Sequence, residues 1–209
     1  EWLEARDLEV GDYVAYPLTT NVVESSNITI GKARLIGYFL AEGSYIKHTN
    51  TGEETYKSGI AFSFGNTEKD KTFVTEVIRL LKSEFNLEAR AYESAKYRET
   101  YVNDGGEIAQ SVGCMEVRVN SRDVAKFFDY YCGEYAKTKR LPDEALFWDL
   151  EIQKNIVGAF YNGDGCCANK ESVDKDYTEV YASTISEDLA YQISFMLKRC
   201  KIPSVLYSS

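Results

Sequence analysis

The stretch LIGYFLAEGSY, residues Leu35 to Tyr45, has the apolar composition of a core helix but contains two residues that a core helix usually avoids. Gly37 lies in its interior, where glycine costs about 1 kcal/mol of helix stability relative to alanine. The helical run ends on a lone acid, Glu42, and a carboxylate that leaves water needs a partner. The helix dipole also disfavours an acid at a helix C-terminus. Local costs of this kind indicate a functional position.

A second stretch, NIVGAFYNGDGCC from Asn155 to Cys167, repeats the pattern and ends on the acid Asp164 between two glycines. Small residues that lie four apart occupy one face of a helix, and they let two helix backbones approach closely. With Asp164 aligned to Glu42, small residues lie five positions and one position before each acid: Gly37, Ala41, Ala159 and Gly163. We therefore expect the two helices to pack against each other and to place the two acids side by side.

Two neighbouring carboxylates repel each other, and at least one would bind a proton unless a cation lay between them. A hard divalent ion with oxygen ligands, such as Mg²⁺, satisfies this arrangement. Glu42 and Asp164 are therefore the predicted metal ligands.

Similar elements follow both acids, which predicts an α+β fold with two pseudo-symmetric halves. After Glu42, apolar alternation and periodicity predict two strands, an amphipathic helix capped at Asn66 or Thr67, two more strands and a helix capped by Ser121. The segment around Tyr97 to Gln110 reads as a loop or a hairpin tip. After Asp164, the pattern predicts two strands, an amphipathic helix and a closing strand in IPSVLYS.

The two segments LIGYFLAEG and VGAFYNGDG resemble the paired motifs of the LAGLIDADG homing endonucleases. The resemblance implies αββαββ-type halves joined at the two motif helices, with sheets that form a saddle over double-stranded DNA. It also implies that Glu42 and Asp164 are catalytic, that they bind Mg²⁺ or another divalent cation, and that one chain acts as a monomeric pseudo-dimer. The sequence departs from the usual motif at Leu40 and Asn162, where an aspartate is common, and at Ala159, where glycine is usual.

More specifically, the chain resembles the endonuclease region of an intein, embedded in a host protein. KTKRLPDEALFW is similar to the block before the second motif, and its Lys139 matches a lysine that the family places near the active site. The splicing residues of an intein do not occur in this sequence, so splicing is not predicted for it. The expected boundaries are an edge of the splicing domain or linker at 1–30, with a strand in LEVGDYVAYPL, a first half at 31–150, and a second half at 151–209 that stops before its last strand and helix.

Charge is the main argument against a DNA partner, because the 209-residue chain has a formal net charge of −9. A saddle needs only one basic face, however, and basic residues on predicted strands are candidates for DNA contacts: Lys47, His48, Arg90, Arg118 and Lys170. Two alternatives remain open, a non-catalytic DNA-binding module and a decayed structural insert of an intein. The lack of a signal peptide or an apolar span predicts an intracellular protein, cytoplasmic or associated with the nucleoid.

Overall fold

The structure is a computed structural model that describes residues 27–50, 54–94, 100–102, 108–110, 113–170 and 177–207, together with the single residues Asp7, Glu9 and Val22. The predicted strand in LEVGDYVAYPL lies outside the described residues. At several strand positions, including Lys170, the backbone but not the side chain is described.

The first half follows the predicted order of elements. Thr29 caps the first helix by accepting a hydrogen bond from the amide of Lys32, and Thr67 and Ser121 cap the next two helices. The elements are α1 (Ile30–Glu42), β1 (Gly43–Thr49), β2 (Thr55–Phe64), α2 (Glu68–Phe85), β3 (Arg90–Ser94), β4 (Thr100–Val102), β5 (Ile108–Gln110), β6 (Cys114–Val119) and α3 (Arg122–Cys132). Strands β4 and β5 pair in an antiparallel hairpin, so the segment before β6 is a hairpin and not an open loop.

Four strands of the first half form an antiparallel sheet in the order β1-β2-β6-β3. Residues that pair across antiparallel strands lie on the same face. Ile60 pairs with Val119 and Phe62 with Val117, and these side chains are buried under the helices. The sheet therefore has a helix-covered face and an open face, and alternate residues of each strand belong to each.

The second half contains α4 (Leu150–Asp164), β7 (Gly165–Lys170), β8 (Tyr177–Ala182) and α5 (Glu187–Arg199), with β7 and β8 paired antiparallel. After Pro142 the chain forms a 3₁₀ turn, Asp143–Phe147, and α4 starts after Asp149, which caps it. The prediction of a closing strand in IPSVLYS is wrong for Ile202 to Tyr207, which have no regular secondary structure. A strand needs ladder partners for its backbone groups, and the described part of the chain supplies none there.

Helices α1 and α4 pack together at the centre of the molecule. Eight of the thirteen residues of α1 and six of the fifteen residues of α4 are buried, so α1 is the more enclosed helix of the pair. The α+β fold with two pseudo-symmetric halves joined at a helix pair is therefore the fold predicted from the sequence. Among the described residues the second sheet has two strands where the first has four.

Candidate active site at the paired helix ends

The two motif helices touch through their small residues. A Cβ added to Gly37 would lie 2.2 Å from the carbonyl oxygen of Ile156 and 2.8 Å from the Cβ of Ala159. One turn further on, a Cβ added to Gly163 would lie 2.6 Å from the Cβ of Ala41. Because real Cβ atoms do not approach other atoms this closely, both glycines are required for the present distance between the backbones. The contacts are reciprocal, since each helix supplies one glycine and one alanine.

This close packing brings the two acids together. A Cβ added to Gly163 would lie 3.0 Å from Cγ and 3.4 Å from Oε1 of Glu42, so the Glu42 side chain lies over the residue before Asp164. Burial raises the pKa of Glu42 to about 7, and repulsion from Asp164 adds to the shift. Burial also raises the pKa of Asp164, with Lys139 opposing the change. Two half-buried carboxylates with raised pKa values form a site that attracts cations.

Lys139 comes from the segment between α3 and α4 and is buried, with 7% of its surface exposed. Its Nζ donates to the carbonyl oxygens of Phe39 and Leu40, both at 3.0 Å, and to that of Ala41 at 3.4 Å. These carbonyls are at the C-terminal end of α1, where a cation is favoured by the helix dipole. Burial lowers the pKa of Lys139, while the nearby acids Asp164 and Glu42 oppose the change. Its positive charge therefore counteracts both the helix end and the two carboxylates.

A polar network that sequence reasoning missed joins α1, α2 and α4 beside the acids. Glu76 of α2 accepts hydrogen bonds from the Tyr38 hydroxyl at 2.7 Å and from Arg34 at 2.5 and 2.7 Å. Asn162 of α4 donates to the Tyr38 hydroxyl at 3.2 Å. Burial raises the pKa of Tyr38 to about 12. The departure from the motif at Asn162 was the one signal in the sequence, because a polar residue two positions before the acid needs a partner.

The candidate DNA residues are divided between the two faces of the first sheet. Arg90 and Arg118 pair across β3 and β6 and are exposed on the open face. Like charges directly opposite each other are destabilising, and Glu116, whose carboxylate lies 2.6 Å from Arg118, offsets part of this repulsion. An anionic partner would remove this cost.

Lys47 lies on the other face. Its Nζ is 2.6 Å from the carboxylate of Glu134 and lies over the ring of Tyr135, in the segment after α3. Lys47 therefore forms an ion pair on the helix-covered side of the sheet. His48 is exposed near the hairpin tip, with its ring centroid 6.2 Å from that of Tyr56. Lys170 ends β7, and its side chain is among those not described.

The chemistry of the acid pair fits a hard divalent ion. Mg²⁺ in proteins is commonly held by one or two carboxylates together with water and substrate phosphates. The described residues contain no group of three or more His, Cys, Asp or Glu side chains that could hold a metal. A cation at Glu42 and Asp164 would share these two carboxylates with further oxygen ligands, such as water or backbone carbonyls.

Comparison with known proteins agrees with this description. Residues 31–132, just under half of the chain, match the family model of the LAGLIDADG-like domain. Residues 31–132 are thus similar to a LAGLIDADG-like domain, in agreement with the resemblance of the two segments to LAGLIDADG motifs. The fold is similar to that of I-DmoI, solved in complex with DNA and Mn, with a TM-score of 0.55 and 13% identity over 85% of this chain and 81% of that one.

Two curated relatives are much longer than this chain. An uncharacterized protein of Methanocaldococcus jannaschii is 27% identical over 78% of the chain, which spans 21% of that protein. An iron–sulfur cluster assembly SufBD family protein of Mycobacterium tuberculosis is 26% identical, also over 78% of the chain, which spans 17% of that protein. The chain thus corresponds to about a fifth of the length of these relatives. None of the described helices is long and apolar enough to cross a membrane.

Proposed function

We propose that the protein is a homing endonuclease that makes site-specific double-strand breaks in DNA by phosphodiester hydrolysis. The observation that carries the proposal is the placement of Glu42 and Asp164 at the touching C-terminal ends of two closely packed helices. Two acids related by a pseudo-twofold axis suit a substrate with two strands, because each strand meets an equivalent carboxylate.

Glu42 and Asp164 would hold Mg²⁺ or another divalent cation. When bound, such an ion supplies Lewis-acid stabilisation of the charge that develops on the phosphate. The two carboxylates are half-buried and therefore poorly hydrated. They would release bound protons when a cation binds between them. The two motif helices fix the distance between the acids, because neither backbone can move closer or rotate without a clash.

Lys139 would stabilise negative charge that develops on the phosphate, from its position at the C-terminal end of α1. All three hydrogens of its ammonium group can be used by the carbonyl oxygens at the end of α1. It therefore acts through its field on Glu42, Asp164 and a nearby phosphate, while its hydrogen bonds keep it in place. A fixed charge of this kind costs no reorganisation during the reaction.

The open face of the first sheet is the proposed DNA surface, with Arg90 and Arg118 as its described cations. Replacing Arg118 by alanine should weaken DNA binding and lower the slope of log K against log salt by about 0.9 per lost phosphate contact. Lys47→Ala is the matched control, since it removes an equally charged residue from the other face. Equal losses of affinity in the two variants, measured by salt titration, would contradict the assignment of the open face.

The acid pair predicts how stability depends on pH in the absence of metal. The pKa of Glu42 is raised to about 7 from an ordinary value of 4.5, so the folded state binds more protons than the unfolded state between these values. Stability should therefore fall as pH rises from about 4.5 through about 7, by about 1–3 kcal/mol. Denaturant titrations in EDTA at pH 5 and pH 8 should show this fall in the wild type, and Glu42→Gln should remove most of it.

A divalent cation should reverse this loss. Addition of Mg²⁺ or Mn²⁺ at pH 8 should raise the melting temperature of the wild type by mass action, because the ion binds the folded site. Glu42→Gln should lose this response. A wild-type protein whose melting temperature is unchanged by millimolar cation would argue against a metal site at the helix ends.

An intein context is part of the proposal. The chain corresponds to 17% of a protein whose name refers to iron–sulfur cluster assembly, as expected if a segment of this kind is inserted in a host with another task. The flanking sequence tests this directly. An upstream Cys or Ser with a T-x-x-H block and a downstream His-Asn would support an intein, and a continuous unrelated domain on both sides would contradict it.

Cleavage itself is tested with a plasmid library that carries random target sites, incubated with the protein and Mg²⁺. Linear product that depends on the cation and maps to one sequence supports the proposal. Binding that falls with salt but never leads to cutting would instead identify the non-catalytic DNA-binding module. The absence of both would indicate a structural insert.

A further inference from the structure

The segment Lys139–Leu141 forms hydrogen bonds with two buried polar side chains of the second half, Ser186 at the N-cap of α5 and Gln192 within α5. Ser186 donates from Oγ to the carbonyl oxygen of Lys139 at 2.6 Å. Gln192 forms two hydrogen bonds with Leu141, donating from Nε2 to its carbonyl oxygen and accepting from its amide, both at 2.8 Å. Ser186 is 1% exposed, Gln192 is 7% exposed and Leu141 is fully buried.

These contacts leave the backbone of the segment little freedom. Between Lys139 and Leu141, the amide of Arg140 donates to the carbonyl oxygen of Cys132 at the end of α3, at 3.1 Å. The Arg140 guanidinium lies 2.7 Å from Asp143 and 3.5 Å from Asp188 of α5. The segment is thus attached on one side to the last residue of α3 and on the other side to α5.

The side chain of Lys139 leaves this segment towards the acids. Its Nζ reaches the carbonyl oxygens at the end of α1, about one residue from Glu42. Because Lys139 is buried, a shift of the segment would have to be taken up by its side chain or by these three hydrogen bonds. Buried polar side chains are costly unless each is satisfied, and here Ser186 and Gln192 are satisfied by this segment.

We propose that Ser186 and Gln192 are positioning residues, which hold the Lys139 ammonium beside Glu42 and Asp164 and so couple the second half of the chain to the acid pair. The role in catalysis rests on the proposed function above, whereas the positioning itself does not. These hydrogen bonds of Ser186 and Gln192, called the clamp below, make the position of Lys139 depend on the correct packing of α5 against the first half.

The following variants separate the positioning of Lys139 from the contribution of the same side chains to the capping and packing of α5. Ser186 also caps α5 by accepting from the amide of Leu189. Ser186→Asp keeps an acceptor for the cap but cannot donate to Lys139, and Ser186→Thr keeps both functions. Gln192→Met removes both hydrogen bonds with little change of volume. Ser194→Ala is the matched control, because Ser194 is a buried α5 hydroxyl whose partner is Ser204.

The first measurement needs no activity. The protein is treated with an amine-acylating reagent well below its melting temperature, and modification of Lys139 is followed by mass spectrometry with the exposed Lys154 as internal reference. In wild type, Ser186→Thr and Ser194→Ala, Lys139 should react slowly. In Ser186→Asp and Gln192→Met it should react at least about tenfold faster, as expected when hydrogen bonds that protect a buried group are lost. Unchanged protection in both variants would overturn the proposal.

The second measurement is cleavage of a mapped site. Misplacement of a charge by about 1 Å costs on the order of 100-fold in rate, so Ser186→Asp and Gln192→Met should cut much more slowly while they bind DNA as the wild type does. In a Lys139→Met background the same substitutions should cause no further loss, since residues that act through one another are not additive. Full additivity would contradict the mechanism. If the wild type does not cut DNA, the proposed function fails, and the acylation result still decides the clamp.

Discussion

Replacing Glu42 by glutamine or Asp164 by asparagine should abolish double-strand cleavage while DNA binding is kept. Each amide has the shape of the acid it replaces but carries no charge, so the site loses half of its attraction for a cation. Metal-ion catalysis contributes several kcal/mol to such reactions, which corresponds to a loss of about 1,000-fold or more in rate. The measurement is single-turnover cleavage of a mapped target in Mg²⁺, with affinity determined separately in Ca²⁺.

Glu116→Gln is the control for this prediction, because it neutralises an acid on the open face of the sheet, where Glu116 contacts Arg118. It should cut at a rate close to that of the wild type. The two motif variants should also melt no lower than the wild type at pH 8, since they remove repulsion between buried carboxylates. An amide variant that cuts normally would show that the catalytic groups lie elsewhere.

The helix interface provides the second large effect. Gly37→Leu should destabilise the protein by about 1–3 kcal/mol or more, because overpacking forces the backbones apart. There is no flexible side chain to yield, since the nearest atom to an added Cβ is the Ile156 carbonyl oxygen of the facing helix, at 2.2 Å. Ala159→Leu should have a similar effect from the other helix. Thermal and denaturant unfolding give the size of the change.

Gly158 offers a matched control within the same helix pair. It lies in α4 next to Ala159, but a Cβ added there would meet nothing within 4 Å. Gly158→Ala should therefore stabilise the protein by about 0.5–1 kcal/mol through helix propensity alone. Opposite signs for Gly37→Leu and Gly158→Ala would separate contact across the interface from the general cost of helical glycine. Unfolding curves for Gly37→Leu that overlay those of the wild type would contradict the close approach.

The helix pair could be predicted from the sequence because its cause is local. A glycine and an alanine four apart, followed by an acid and a glycine, leave a pattern in the sequence that occurs twice. The order of strands and helices in the first half could be read for the same reason, since apolar periodicity reports which face of each element is covered. The resemblance to LAGLIDADG motifs was likewise visible in the two segments.

The face on which a charged strand residue lies was harder to predict. Lys47 and Arg118 both occur in alternating strands, but alternation alone does not show which of the two faces the helices cover. In β1 the covered face is that of Tyr45 and Lys47, which contact Gly133 and Glu134 in the segment after α3. Likewise, Ser186 and Gln192 are ordinary in sequence, because their role depends on a segment 47 and 51 residues away in the chain.

The junction between each motif helix and the strand that follows has a practical consequence. β1 begins at Gly43, immediately after Glu42, and β7 begins at Gly165, immediately after Asp164. Each proposed catalytic acid is therefore directly bonded to the first residue of a strand, and β1 belongs to the sheet proposed to contact DNA. If the proposed function holds, specificity can be redesigned by altering outward side chains along these strands without moving the two acids. Insertion of even a single residue at either junction would rotate the following strand relative to its acid. Substitutions along the strands are therefore suitable for changing the target sequence, whereas insertions at the junctions are not.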